Sequence, residues 1–140
     1  MSHDLYKKQF GNSGENLVRE YYENLDWKLL HQNKTEKGSE IDLIMEKFVA
    51  DKDTHKKRVV LFIEVKTVDV TNRQKILPED NFTKPKQKHL KRGVELYLTK
   101  NKLHSVGVKD LQIRIDLACV YYDNTDKRHS IVTYENIILE

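Results

Sequence analysis

The run Val59-Val60-Leu61-Phe62-Ile63 constrains the fold of this chain more than any other feature. Large apolar residues in unbroken succession need cover on both faces, as in the central strand of a sheet packed between helices. At five residues it is far too short to span a bilayer, as is every other apolar run in the 140 residues. The flanking sequence supplies the cover. From Leu5 to about Leu25 the pattern is helical, with Leu17, Tyr21 and Leu25 at i, i+4 and Val18 and Tyr22 beside them. Gly11 and Gly14 each weaken that helix by about 1 kcal/mol relative to Ala, so they mark a close backbone approach or a break. Lys86 to about Leu103 is a second helix, with Leu90, Val94 and Leu98 on one side.

Between and after the helices lie the strands. Trp27 to Asn33 is a short one, and Ser39 to Lys47 alternates Ile41, Leu43 and Met45. Phe48 to Lys57 reads as a polar loop, and Arg58 to Val68 is the central strand. Thr71 to Lys84 is irregular. Gln112 to Tyr122 and His129 to Leu139 are two further strands about the turn Asp123-Asn124-Thr125-Asp126. The order predicts one α/β domain over residues 1–140, a central mixed sheet flanked by helices.

Composition narrows the class. Charged residues make up 34% and apolar ones 38%, so the core must be concentrated in these few elements. The lone Cys119 leaves no internal disulfide and no thiolate zinc site, and the first ten residues hold no apolar signal-peptide core. Both point to the cytoplasm and away from membranes. Net charge is only +3, but residues 84–102 hold Lys84, Lys86, Lys88, Lys91, Arg92, Lys100 and Lys102 against Glu95 alone. Such asymmetry suggests a polyanionic partner, nucleic acid first, with a solvated helix face as the plain alternative.

Glu64-Val65-Lys66 follows the apolar run directly, where unpaired charge costs several kcal/mol to bury. Glu64 and Lys66 share a face of the strand, being two apart. The preceding strand carries its own misplaced acid, Asp42. In an antiparallel hairpin whose register opposes Lys47 to Val59, Asp42 stands opposite Glu64. Like charges at that spacing repel, and a divalent cation between them turns the repulsion into a binding site. Asp42, Glu64, the backbone carbonyl of Val65 and water form the oxygen shell that Mg²⁺ or Mn²⁺ takes. Lys66 beside it is placed to orient or help deprotonate an attacking water. Glu15, on the first helix, adds a third carboxylate. The plain alternative is a surface hairpin whose acids pair with nearby lysines.

In order, Gly11-x-x-Gly14-Glu15, Asn33, Glu40-Ile41-Asp42-Leu43-Ile44, Phe62-Ile63-Glu64-Val65-Lys66, Lys86-Gln87-Lys88-x-Leu90 and Arg114-Ile115-Asp116 resemble the PD-(D/E)XK nuclease superfamily. Within it they are similar to the YraN-type endonuclease-like family; Ser39-Glu40-Ile41-Asp42 also looks like the archaeal Holliday-junction resolvases. Thr35, Ser39 and Val68 depart from the family pattern. The resemblance implies a restriction-endonuclease-like core that hydrolyses DNA, branched DNA included. It makes Glu15, Asp42, Glu64 and Lys66 catalytic and implies Mg²⁺ or Mn²⁺ held at Asp42, Glu64 and Val65. Lys84, Lys86, Gln87, Lys88, Lys91 and Arg92 would lie along the phosphate backbone, and analogy with the resolvases adds a homodimer. A different class of reading remains open: a nuclease-fold module that binds nucleic acid or a protein without cutting.

Other residues carry less. The six histidines show no paired ligand spacing, Cys119 sits in an apolar run, and no serine lies in a nucleophile elbow. Arg114 and Asp116 read as structural, each pairing with the other's neighbours.

Overall fold

The computed structural model describes residues 3–50, 56–71, 82–103 and 111–139, with side chains of the first helix from residue 13 onward. Helix α1 (His3–Glu23) leads into strands β1 (Lys28–Glu36), β2 (Ser39–Ala50) and β3 (Lys56–Asp69). Helix α2 (Lys84–Lys100) and strands β4 (Leu111–Asp123) and β5 (Arg128–Tyr134) follow. The strands lie in chain order in one five-stranded sheet. β3 and β4 run parallel, and every other neighbouring pair is antiparallel. This is the expected α/β fold with a mixed sheet, consistent with a restriction-endonuclease-like core.

β3 is the central strand, as its composition requires. Val60, Leu61, Phe62 and Ile63 are completely buried and alternate between two cores. Leu61 and Ile63 join Val18, Tyr22 and Trp27 on the α1 side, while Val60 and Phe62 join Leu90, Val94, Tyr97 and Leu98 of α2. Each such side chain contributes about 1.5–3 kcal/mol by leaving water. That is the reason a run without polar alternation stays in one strand.

Helix α1 continues through both glycines, and Gly14 is a close approach. A Cβ built on it would lie 2.0 Å from Thr67 Oγ1 and 3.1 Å from Thr67 Cβ. Only a residue without a side chain lets α1 settle this near β3. Gly93 does the same for α2, where a Cβ would meet Ile41 at 3.2 Å and Ser39 at 3.3 Å.

Several boundaries differ from the sequence reading. The stretch from Phe48 that reads as a loop is strand as far as Ala50, and β3 already begins at Lys56. Backbone pairing with the facing strand carries both past the end of the apolar pattern. The remainder of that expected loop, 51–55, lies outside the described residues, as does most of the irregular stretch after Thr71. Trp27 precedes β1 rather than opening it, and β5 stops at Tyr134, five residues short of Leu139. Downstream the chain turns back, with the N–H of Ile137 bonded to the carbonyl of Ile115 on β4.

Arg114 and Asp116 pair directly with each other as well as with neighbouring groups, Arg114 lying 3.7 Å from Glu135. Arg114 donates to both Asp116 oxygens, at 3.0 and 2.8 Å, and the Tyr22 hydroxyl and Asn136 N–H complete the shell at 2.8 and 2.9 Å. Asp116 is fully buried, so these bonds are what makes its charge tolerable there. The role is structural, as the sequence suggests: it ties α1, β4 and the C-terminal segment together.

Candidate active site

The β2–β3 register is the one supposed from the sequence, with Lys47 facing Val59. Backbone pairing runs from Ala50–Lys56 to Leu43–Ile63 and goes no further. Beyond that point β2 continues to pair with β1 as far as Ser39, and β3 continues to pair with β4 as far as Asp69. The sheet therefore forks at the level of Asp42 and Glu64. Asp42 occupies the fork: its Oδ2 accepts the Val65 N–H at 2.8 Å, replacing the ladder bond that the fork removes. Side-chain alternation also breaks here, since Ile41 and Ile44 lie in one core and Leu43 and Met45 in the other.

Helix α1 supplies the next acid. The Gly14–Thr67 approach sets the neighbouring Glu15 against the fork. One carboxylate oxygen each from Glu15, Glu40 and Asp42 fall within 4.8 Å of one another. Asn33 and Gln32 of β1 hydrogen-bond the Glu15 carboxyl. Asn33 does so from a left-handed backbone, φ 54°, which asparagine tolerates better than most residues. Gln32 is itself held by Arg19 at 2.9 Å and Asn16 at 3.0 Å. Glu15 Oε2 is nonetheless buried without a hydrogen-bond partner among the described residues.

Two of these carboxyls, Asp42 and Glu15, are harder to ionise than usual. Burial first, then the charge of Glu64, pushes the Asp42 carboxyl up to about 8. The Val65 N–H pulls the other way, and Glu15 and Glu40 add to the rise. Glu15 is also raised, chiefly by burial, with Asn33 opposing and the charge of Glu40 reinforcing. Carboxyls this hard to ionise in one another's company are the environment that a divalent cation relieves. The donor set is all hard oxygen, which suits Mg²⁺ or Mn²⁺. The orphaned Glu15 oxygen is a ligand still to be used.

Of the residues expected in the site, the fold brings Glu15 and Asp42 together and places Glu64 within electrostatic reach of Asp42. The Glu64 carboxylate itself turns to Lys66, 3.0 Å from Nζ, rather than into the group of three. Val65 meets Asp42 through its N–H. Its side chain packs in the α1-side core.

Glu40 is the acid that the sequence reading assigned no role. It stands two residues before Asp42 on one strand, and the period-two rule that pairs Glu64 with Lys66 would also have found it. Asn33 and Gln32 were less accessible to inference, because their part depends on how β1 lies against α1.

On the other face of the sheet, α2 packs beside the fork through Gly93. Lys84, Lys86, Lys88, Lys91 and Arg92 are exposed. Gln87 is engaged locally, its Nε2 donating to the Phe82 carbonyl at 3.0 Å. Lys100 pairs with the buried Glu36 at 3.4 Å. The first turn of α2 holds no acid and Thr83 makes no side-chain cap. Cations crowd the end where the helix dipole is already positive, against local helix energetics. An anionic partner would compensate that cost.

Comparison with known proteins agrees in extent with this arrangement. The model of an uncharacterised protein family, UPF0102, matches residues 14–120, a span that takes in every residue of the fork and all of α2. Over 120 residues, 84% of this chain and 86% of the relative, the sequence is 30% identical to a UPF0102 protein of Caldicellulosiruptor saccharolyticus. It is 32% identical over 115 residues, 82% and 86% respectively, to a UPF0102 protein of Campylobacter lari. No helix among the described residues is long and apolar enough to cross a membrane.

Proposed function

The chain belongs to the uncharacterised protein family UPF0102, the YraN-like family, and from that premise we propose that it is a metal-dependent endonuclease of the PD-(D/E)XK type acting on DNA, branched DNA included. The observation that carries the reading is the convergence of Glu15, Glu40 and Asp42 where β2 parts from β3, with the Glu64–Lys66 pair on the strand opposite. Hydrolysis of a phosphodiester needs little covalent help from the protein and much positioning and charge.

Each residue has a part in that. Asp42, with Glu15 and Glu40, would hold Mg²⁺ or Mn²⁺, and Glu64 and the Val65 carbonyl complete the proposed ligand set. The ion supplies charge stabilisation at the phosphoryl oxygens and makes the attacking water easier to ionise. Lys66 directs its ammonium toward the scissile phosphate, held in place by Glu64, and orients the attacking water. The Val65 N–H holds the Asp42 carboxylate in place through its Oδ2. Lys84, Lys86, Lys88, Lys91 and Arg92 grip the phosphate backbone, and Gln87 fixes the entry into that helix. The 140 residues act as one nuclease-like domain in the cytoplasm. A branched substrate with twofold symmetry extends the reading to a homodimer.

The test is purified protein with Mg²⁺ or Mn²⁺ and labelled duplex, single-stranded, flap and four-way-junction DNA. Cleavage by the wild type, lost in Asp42→Asn and Glu64→Ala while binding persists, is the expected result. Wild-type binding with no cleavage of any substrate would leave a binding module and remove the catalytic assignment.

A further inference from the structure

The β2–β3 hairpin outruns the sheet. Among the described residues, β1 pairs with β2 only as far as Glu46, and β4 pairs with β3 only from Arg58. Lys47 to Ala50 and Lys56 to Lys57 thus form a two-stranded arm at the end of the sheet away from the fork. Its apolar residues are in the open. Phe48 is 61% exposed and Val49 42%, the former facing Arg58 across the arm and the latter Lys57. Arg58 is fastened to Glu46 by two bonds, 2.9 and 2.8 Å, on the face that carries Phe48. Lys56, beside them, is exposed.

The opposite face of the arm roofs a cleft of about 650 Å³. Lys47, Lys57, Asp26, Glu135 and Trp27 are among its lining residues, and Arg114, which also lines it, is already paired with Asp116. Lys47 also reaches the Leu25 carbonyl, at 2.7 Å. A polyanion that reaches this arm meets cations on both of its faces and a bare aromatic ring on one. Polar partners alone would leave Phe48 without a purpose, and an apolar partner would strand the lysines.

We infer that the arm is a second DNA contact, with Phe48 stacking on an unpaired base and the lysines taking the adjoining phosphates. Sequence-tolerant stacking on an exposed ring within a basic surface is how single strands are held. Six residues of strand separate Phe48 from Asp42, about 20 Å at the usual rise per residue. That is about six base-pair steps of B-form duplex. The arm therefore engages unpaired bases at that distance from the cut and favours branched or frayed DNA over continuous duplex. This inference rests on the DNA reading above.

The experiment is equilibrium binding by fluorescence anisotropy in EDTA, where cleavage plays no part, using wild type, Phe48→Ala and Phe48→Tyr. The probes are single-stranded, four-way-junction and blunt duplex DNA. Phe48→Ala is expected to weaken binding to the first two about 5- to 100-fold, the worth of one stacked base. Duplex binding should stay within about twofold, and Phe48→Tyr should bind as the wild type does. Equal affinity of Phe48→Ala and wild type for all three probes would overturn the inference and leave the acid site untouched. So would an equal loss on all three, or a changed oligomeric state by sedimentation with DNA binding intact, which would mark Phe48 as a contact between copies. A wild type that binds none of the probes would overturn both this inference and the DNA reading.

Discussion

Replacing Asp42 by Asn should make the metal-free protein more stable, although it removes a residue placed at the centre of the site. The carboxyl is raised from an ordinary 3.8 to about 8 by burial and by the charge of Glu64. A raised acid holds its proton more tightly when folded. Its contribution to stability is greatest below the unfolded value and is lost as pH climbs from about 4 to about 8. At pH 7 the chain has lost about three units' worth, at about 1.4 kcal/mol per unit. That sets an upper bound of about 4 kcal/mol, and sharing of the proton with Glu15 brings the expectation to about 2–4 kcal/mol. Asparagine keeps the shape, and its carbonyl still accepts the Val65 N–H, so Asp42→Asn recovers most of this. Urea unfolding in EDTA at pH 5, 7 and 9 reads it directly. The gain should be small at pH 5, large at pH 7 and level above about 8. Added Mg²⁺ or Mn²⁺ should stabilise the wild type and leave the variant unmoved. An Asp42→Asn protein less stable than wild type at pH 8 in EDTA would refute the reasoning, because Asp42 would then be an acid already satisfied by the protein.

Two further outcomes follow from the geometry. Gly14→Ala should lower stability by about 1–2 kcal/mol despite the better helix former, because the new methyl collides with the β-branched side chain of Thr67 and one of the two must shift. The shift in α1 also carries Glu15 off the fork, so divalent-cation affinity should fall with it; a variant as stable as wild type with unchanged affinity would deny the close approach. For α2, the five exposed cations that remain once Lys100 is paired predict a log–log salt slope for duplex binding of about −4.5, and a slope near zero would take the helix out of the interface.

What could be read from residues alone was what depends on short-range rules. β3 announced itself because five apolar residues in a row have few places to go, and the Asp42–Glu64 level followed from register once the hairpin was recognised. Gly14 was recognisable as a contact or a break, and Thr67 decides which. The fork itself was not legible, since it arises from two strands each keeping a different partner, and no local pattern records that choice. The same is true of the Glu64–Lys66 pair, because a strand places both side chains on one face without saying whether they meet. The arm was hidden for a related reason: Phe48 and Val49 are strand only through pairing with Arg58 and Lys57. Tyr22 and Asn136, which complete the shell of Asp116, come from parts of the chain that no local pattern links to it.

The central claim is that Glu15, Glu40 and Asp42 are gathered to hold a hard divalent cation. Calorimetric titration of Mn²⁺ into the wild type and into Glu15→Gln, Glu40→Gln and Asp42→Asn tests it most directly. Saturable binding with proton release below pH 8, weakened at least tenfold by each substitution, is the outcome that the structure predicts. Absence of binding to the wild type, or binding that all three variants share unchanged, would contradict it.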